Sequence, residues 1–244
     1  MALATLIAVT LGCIAWSLWI RRVTWNCRWE VAATMNIALQ GAAVALMSPL
    51  ASEHLGPVFH RLTGMWNLED YIGHDMYVVA ASAIVYNSLS RLQDDDLMRL
   101  SFKQYVERPA TLCIPLLLAT FSIGAGARVY RPDFFTVPTD LWLSIYWILL
   151  CGTLLYLLGY GCRAMLVLRR DPRSRMIANV YLFASISGML ACVIRITTAL
   201  IPALQPLENG RLVWLFACTC GAVFALAAAH SWRVKTRQSS KLDH

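Results

Sequence analysis

Long apolar runs, separated by short polar segments, follow one another along the whole chain. A helix needs about 20 apolar residues to cross the hydrocarbon core of a bilayer. Seven runs are close to that length or exceed it, at residues 2–20, 31–50, 68–89, 109–127, 141–167, 176–203 and 212–230. The pattern predicts an all-α integral membrane protein. A seven-transmembrane-helix bundle is expected over residues 1–232, with a short basic cytoplasmic tail at 233–244.

The Lys and Arg residues alternate in number from one connection to the next. The connections after runs one, three and five, together with the tail, hold sixteen of them, whereas those after runs two, four and six hold four. Cytoplasmic loops are enriched in Lys and Arg. The alternation therefore predicts an outside N-terminus and a cytoplasmic C-terminus. Because Arg21 and Arg22 follow the first run and no basic segment precedes it, we expect an uncleaved span there.

Composition narrows the class of protein further. Of the 244 residues, 58% are hydrophobic and 14% charged, against about 25% charged in a soluble domain. Soluble folds, secreted disulfide scaffolds and free nucleic-acid binders are therefore excluded. We assign the net charge of +7 to loops that meet anionic headgroups of a bacterial cytoplasmic membrane, and no nucleic-acid partner is expected. A protein partner or a homo-oligomer is compatible with this composition.

Few charged side chains fall at membrane depth, and such residues are functional candidates by default. They are His74 and Asp75 in run three and Arg195 in run six. Counted along the helices, Asp75 and Arg195 both lie in the outer third of the membrane. An Asp75–Arg195 ion pair is one hypothesis, and a pair of Asp75 with Arg128 is another. The third is a ligand, ion or proton path lined by these groups.

Helical spacing assigns further residues to the expected site. In run three, Ser82 and Tyr86 lie on the same face as Asp75. In run six, a stripe of small residues leads to Arg195, through Ala184, Gly188 and Cys192. Small residues let helices approach closely, so Arg195 is expected to face a neighbouring helix rather than lipid. In run two, Asn36 and Gln40 are one turn apart and are expected to line the same interior.

The ends of the runs carry recognisable local chemistry. Asn67, followed by Glu69 and Asp70, predicts a capped helix N-terminus at run three. Two groups of aromatic residues are interpreted as interfacial belts, one at Trp16, Trp19, Trp25 and Trp29 and the other at Trp142, Tyr146 and Trp147.

Cofactor and catalytic chemistry finds no support in the pattern. No lysine lies in a predicted span, which excludes a retinal Schiff base, and His74 has no second histidine at its depth to share a haem. The eight cysteines form no CxxC pair, and the acidic triplet at 94–96 is expected to be a solvated cap or loop rather than a cation site. We therefore predict no catalytic residue, no metal and no cofactor.

The segment from Leu62 to His74, which reads LTGMWNLEDYIGH and continues into Val78-Val79-Ala80-Ala81, resembles a known family. It is similar to the membrane half of actinobacterial multi-span proteins classed as transporters, in which a short Gly-x-x-Asn-Leu loop leads into a helix bearing His. The resemblance covers about 30 residues and is carried by Asn67, Gly73 and His74. It implies about seven spans and an actinobacterial or phage source. Members commonly have a soluble C-terminal region, which this sequence lacks after run seven.

These observations lead to two functional hypotheses. The first is a non-enzymatic membrane protein that acts by binding, as a sensor, regulator or exclusion factor. The second is a small secondary transporter or channel that uses Asp75, Arg195 and His74. An odd number of spans and no detectable inverted repeat weigh against the second hypothesis.

Overall fold

The computed structural model describes residues 2–92, 94–172 and 174–242, and within these ranges the chain is helical with no strand. The helices are α1 (Ala2–Ile20), α2 (Val31–Leu46), α3 (Pro49–Thr63), α4 (Leu68–Leu89), α5 (Asp95–Phe102), α6 (Arg108–Ile123), α7 (Ala125–Arg128), α8 (Leu141–Leu168), α9 (Arg175–Leu200), α10 (Gln205–Glu208) and α11 (Arg211–Leu242). A π-helical turn, Lys103–Glu107, joins α5 to α6 into one rod.

A helix lies at each of the seven predicted runs, but not all are equally suited to a membrane. Among the described residues, five helices are long and apolar enough to span one, or six if the bent pair α2 and α3 is counted as a single span. Helix α4 has sufficient length but does not meet that standard, because it carries four ionisable side chains in its first two turns. These helices support a membrane location for the protein.

The last helix is longer than the seventh run. It continues through the predicted tail as far as Leu242, while Asp243 and His244 lie outside the described residues, as do Gln93 and Arg173 of two predicted loops.

Five helices surround the centre of the molecule, and two others pack on the outside. Helix α4 lies between α2 and α8, α9 lies between α8 and α11, and α11 contacts α2. Helix α1 packs against α11 and α2, and α6 packs against α8 and α4. The buried apolar side chains form one continuous core through this ring, with a smaller cluster where α1, α2 and α11 meet.

One end of the bundle, here called the loop end, gathers three connections. The Asn67 side chain donates to the carbonyls of Gly126 and Val129, at 2.6 and 2.9 Å. The Gln205 amide donates to the carbonyls of Phe135 and Val137. Asn67 therefore does not cap α4 as predicted: it adopts a left-handed conformation, with φ 55°, and ties two loops together instead.

The opposite end, here called the basic end, gathers the connections rich in Lys and Arg. Arg28 pairs with Asp95 at 2.8 Å, which joins the loop after α1 to the start of α5. Lys235 of α11 binds the carboxylate of Glu30 before α2. Successive long helices thus run between these two ends in alternating directions.

Helix α3 leaves the direction of α2 by 77°. Ser48 caps its N-terminus by accepting a hydrogen bond from the Ala51 N–H, and Gly64 ends it with a φ of 76°. Ser52 and Gly56 face the protein, whereas Leu55, Val58 and Leu62 are exposed. Such an amphipathic helix is typical of a segment that lies in a membrane interface.

Candidate functional site

A cavity of about 90 Å³ lies inside the ring of five helices, towards the loop end. One water molecule needs about 10–15 Å³ of such space. The cavity wall is mostly apolar, and its polar members include Gln40 of α2, His74 of α4, Trp147 of α8 and Arg195 of α9. Phe135 and Trp214 contribute to the wall from the 3₁₀ turn Phe134–Thr136 and from α11. The cavity therefore has room for a few water molecules or for a ligand of a few heavy atoms.

Arg195 is the only Lys or Arg among the described residues that line the cavity, and it is 1% exposed. Its guanidinium donates to the hydroxyls of Thr198 and Thr139, at 3.1 and 3.3 Å, and lies 4.2 Å from the centre of the Trp147 ring. No carboxylate of the described residues lies within ion-pair distance of it. The positive charge is therefore held by neutral hydroxyls and an aromatic face, which stabilise it less than a carboxylate would.

His74 lies on the other side of Trp147. Its Nδ1 is 2.7 Å from the Tyr146 hydroxyl, and its ring contacts that of Trp147 edge-on at 5.1 Å. Phe134 and Phe135 enclose the same imidazole. The hydrogen bond to Tyr146 fixes the orientation of the ring and leaves Nε2 for another partner.

Four buried polar atoms on the cavity-lining residues have no hydrogen-bond partner among the described residues. They are Gln40 Oε1, His74 Nε2, Trp147 Nε1 and Arg195 Nε. Leaving such an atom unpaired costs about 1–3 kcal/mol. All four belong to residues on the lining of one cavity whose surface is otherwise apolar, so a few polar groups lie at a mostly apolar site, as in many ligand pockets.

The end of the cavity is covered by the loop between α7 and α8. The Asp133 carboxylate accepts hydrogen bonds from the Phe135 backbone N–H and from the Trp214 indole, at 3.1 and 3.3 Å. Burial raises the pKa of Asp133 above its ordinary value, although both hydrogen bonds favour the ionised form. Thr139 accepts from Arg195 and donates to Gln205, so the loop is joined directly to the buried guanidinium. The loop that covers the cavity is thus hydrogen-bonded to a residue of the cavity wall.

The structure brings His74 and Arg195 together around Trp147 but does not bring Asp75 to either. The expected Asp75–Arg195 pair is not formed, and neither is the alternative with Arg128. Asp75 interacts with Tyr71 on its own helix and lies on the side that faces Cys113 of α6. Consecutive helical residues point about 100° apart, and on α4 it is His74 and not Asp75 that lines the cavity. The prediction therefore missed the rotation of Asp75 about the axis of α4.

Ser82 and Tyr86 do not line the cavity, and neither does Asp75. The Ser82 hydroxyl donates to the Val78 carbonyl one turn earlier, and Tyr86 packs edge-on against Phe102 of α5. Their place in a polar path is therefore not supported by the geometry. The face of α4 that lines the cavity continues from His74 through Tyr77, Ala81 and Ile84.

Two residues assigned to an interfacial belt belong to the site. Tyr146 and Trp147 are 0% and 1% exposed, whereas Trp142, one turn earlier, is 41% exposed and compatible with an interface. The sequence did contain a pattern that indicates burial of Trp147. One face of α8 is buried and is formed by residues at helical spacing: Leu143, Trp147, Leu150 and Cys151. The proximity of Tyr146 and Trp147 to the end of the run led to the wrong interpretation.

The remaining predictions for the interior agree with the contacts. The stripe in α9 faces the bundle, and Gly188, Cys192 and Arg195 line the cavity. The Gln40 amide donates to Asn36 Oδ1 at 2.7 Å, and Gln40 reaches the cavity wall. Within the described ranges, no three His, Cys, Asp or Glu side chains are grouped as metal ligands.

The fold and the site together define a class: an all-helical protein with helices suited to a membrane and a mostly apolar cavity in its core. Comparison with known proteins gives no matching family model, no matching curated sequence and no matching solved structure.

Proposed function

We propose that this chain is a non-enzymatic multi-span membrane protein that binds a small ligand in the cavity around Trp147, as a sensor or regulator. The observation that carries the proposal is the set of four unpartnered polar atoms on the lining of that one cavity. They are four of the ten unpartnered buried side-chain atoms in the described residues, and a ligand that hydrogen-bonds to them would remove the cost of leaving them unpaired.

The charge of the site defines the chemistry of the ligand. Arg195 supplies a buried positive charge without a carboxylate partner among the described residues, and Trp147 supplies an indole N–H. The surrounding wall is formed mainly by Leu, Ala, Cys and aromatic side chains. An anion with a compact apolar body, such as a short carboxylic acid, matches both features.

The proposed membrane arrangement has seven crossings, with the N-terminus outside and the basic end in the cytoplasm of a bacterial cell. Two observations support it: the alternating directions of the long helices, and the collection of basic loops at one end. Helix α4 would cross as part of the ring, where α2 and α8 shield it from lipid. A protein partner or a second copy of the chain would then receive the signal.

The test is a thermal-stability titration of the full chain in detergent with butyrate and its neutral isostere butyramide. Butyrate at about 100 times its Kd is expected to raise the Tm by about 5–10 °C, with a smaller effect of butyramide. Arg195→Gln should abolish this difference between the two compounds, and Trp147→Phe should weaken binding of both. Arg128→Gln, an exposed Arg near the same end, is the matched control.

Equal effects of butyrate and butyramide on the parent protein would contradict an anion site. A butyrate effect that survives Arg195→Gln would show that the ligand binds elsewhere. If Arg195→Gln reduces expression, Trp147→Phe still tests the site, because it removes the indole N–H and keeps a smaller aromatic ring at the same position.

A small secondary transporter is the second candidate, and one observation favours it. Another cavity lies between α4, α8, α9 and α11 nearer the basic end. Phe224 of α11 and Val85 of α4 are buried and fall, along their helices, between the residues that line the two cavities. Along α8 the separation from Leu158 to Met165 corresponds to roughly 10 Å of helix rise. Uptake of labelled butyrate into proteoliposomes, lost in Arg195→Gln, would favour transport, whereas binding without uptake would favour a sensor.

A further inference from the structure

The cavity nearer the basic end has a different chemistry from the first. Its volume is about 530 Å³, and its polar lining comes from the ends of α4, α9 and α11. No Asp or Glu of the described residues lines it. It is therefore a pocket with cationic and neutral polar groups at the end of a helical bundle.

The cations of this pocket stand on two sides of it. Arg91 follows the end of α4, and Lys235 lies on α11, where the neighbouring His230 also lines the pocket. Lys235 also binds Glu30, whereas Arg91 makes no ion pair with the described part of the chain. The pocket thus keeps a positive potential, which favours an anion between Arg91 and α11.

A hydrogen-bonding group in the pocket indicates that the ligand carries a polar group in addition to its negative charge. Asn87 is 2% exposed, and its Oδ1 has no hydrogen-bond partner among the described residues. Tyr181 and Ser231 lie on the same lining. An anion that also carries a hydroxyl group would satisfy the Asn87 amide oxygen by donating to it.

The rest of the lining is apolar. Met165 and Leu168 of α8 and Ile177 of α9 form this side of the pocket. A ligand that combines a phosphate, a hydroxyl and a hydrocarbon portion would therefore contact the whole pocket. Basic pockets between helices at the cytoplasmic side of membrane proteins commonly hold phospholipid headgroups.

We propose that the pocket between Arg91, Asn87 and Lys235 binds a glycerophosphoryl anion. The source is either the headgroup of an anionic glycerophospholipid or a free glycerol phosphate, which share this chemistry. The site is distinct from the general attraction of basic loops to a membrane, because it has a defined volume and a buried amide. It is also independent of the ligand proposed for the cavity around Trp147.

Native mass spectrometry of the full chain in detergent tests the proposal. The protein is incubated with phosphatidylglycerol, with phosphatidylcholine of the same acyl chains, or with glycerol 3-phosphate alone. Phosphatidylglycerol should be retained more tightly than phosphatidylcholine. Arg91→Gln should weaken its retention about tenfold, the loss expected for one charge-assisted hydrogen bond. Arg99→Gln, an exposed Arg on α5 outside the pocket, should leave retention unchanged.

The arms of the experiment also distinguish the two sources. If phosphatidylglycerol stays bound when glycerol 3-phosphate is added, the ligand is a lipid. Binding of glycerol 3-phosphate alone, weakened by Arg91→Gln, supports a soluble ligand. Equal retention of both lipids with no binding of glycerol 3-phosphate, or equal losses in Arg91→Gln and Arg99→Gln, would overturn the proposal. Asn87→Leu tests the contact between the ligand hydroxyl and Asn87. Unchanged retention of phosphatidylglycerol in that variant would overturn the proposed hydroxyl contact.

Discussion

At the scale of single residues, Arg21 shows how a loop charge becomes part of the interior. The sequence indicated only that Arg21 helps to orient the first helix, but its side chain is 1% exposed. The guanidinium donates to the Thr34 hydroxyl, the Ala228 carbonyl, and the backbone and carboxylate of Glu30. It thereby joins α1, α2 and α11 at the basic end.

Glu30 is the partner on which this arrangement depends. Burial by itself raises the pKa of Glu30, but the hydrogen bonds from Lys235 and Arg21 outweigh it and hold the pKa below its ordinary value. A carboxylate with a lowered pKa in the folded state stabilises the protein above the pKa of the unfolded chain. That stabilisation is lost as the pH falls through the pKa of the folded state.

Glu30→Gln is expected to destabilise the protein at neutral pH by an amount on the order of 3 kcal/mol, because it leaves Arg21 buried beside a neutral amide. Denaturant titrations of both proteins in detergent, repeated at several pH values, measure this difference in the free energy of unfolding. The difference between parent and variant should shrink as the pH falls through the lowered pKa of Glu30.

Asp95→Asn is the matched control for Glu30→Gln. It removes the carboxylate from the Arg28–Asp95 pair, whose two side chains are 58% and 45% exposed. Such surface pairs contribute about 0–1 kcal/mol. Equal losses of stability in the two variants would contradict the assignment of Glu30 to a buried network.

At the scale of elements, α9 packs closely against α8 and α11 at Gly188. A Cβ added at Gly188 would lie 3.0 Å from Cys220 Sγ and 3.0 Å from Leu158 Cδ1. The small residue therefore allows α9 to contact both α8 and α11. Gly188 also lines the wall of the cavity inside the ring of five helices.

Gly188→Ala should lower the free energy of unfolding by about 1–3 kcal/mol, since the methyl group overpacks the contact. Gly159→Ala is the control, because a Cβ at Gly159 meets nothing within 4 Å. A helical Gly→Ala change without a clash is expected to be neutral or to stabilise by about 0.5–1 kcal/mol. Thermal unfolding in detergent compares the two, and an unchanged Gly188→Ala variant would contradict close packing of α9.

At the scale of the whole molecule, the proposed topology makes a prediction about its two ends. Alkaline phosphatase is active only outside the cytoplasm, so a fusion after Thr63 of α3 should be active. A fusion after Arg99 of α5 should be inactive, because the basic end is expected in the cytoplasm. The reverse pattern would overturn the orientation, and two active fusions would show that α4 does not cross the membrane.

Sequence patterns alone located the long helices of this chain. A helix begins within one residue of the start of each apolar run, because a run of that length buries its backbone polar groups only by helix formation in an apolar environment. The pattern did not predict the breaks inside two of the runs, at Met47–Ser48 and at Gly124. The alternation of Lys and Arg likewise grouped the loops that meet at the basic end. These properties depend on local composition, and they were therefore readable residue by residue.

Only the tertiary structure decided which faces of those helices meet. It turned His74 towards the cavity and Asp75 away from it, and it buried Trp147 beside Arg195. The reason is that apolar residues surround each helix on nearly all sides, so hydropathy carries little information about rotation around the helix axis. Rotation is set by contacts with neighbouring helices, and the chemistry of the site depends on it.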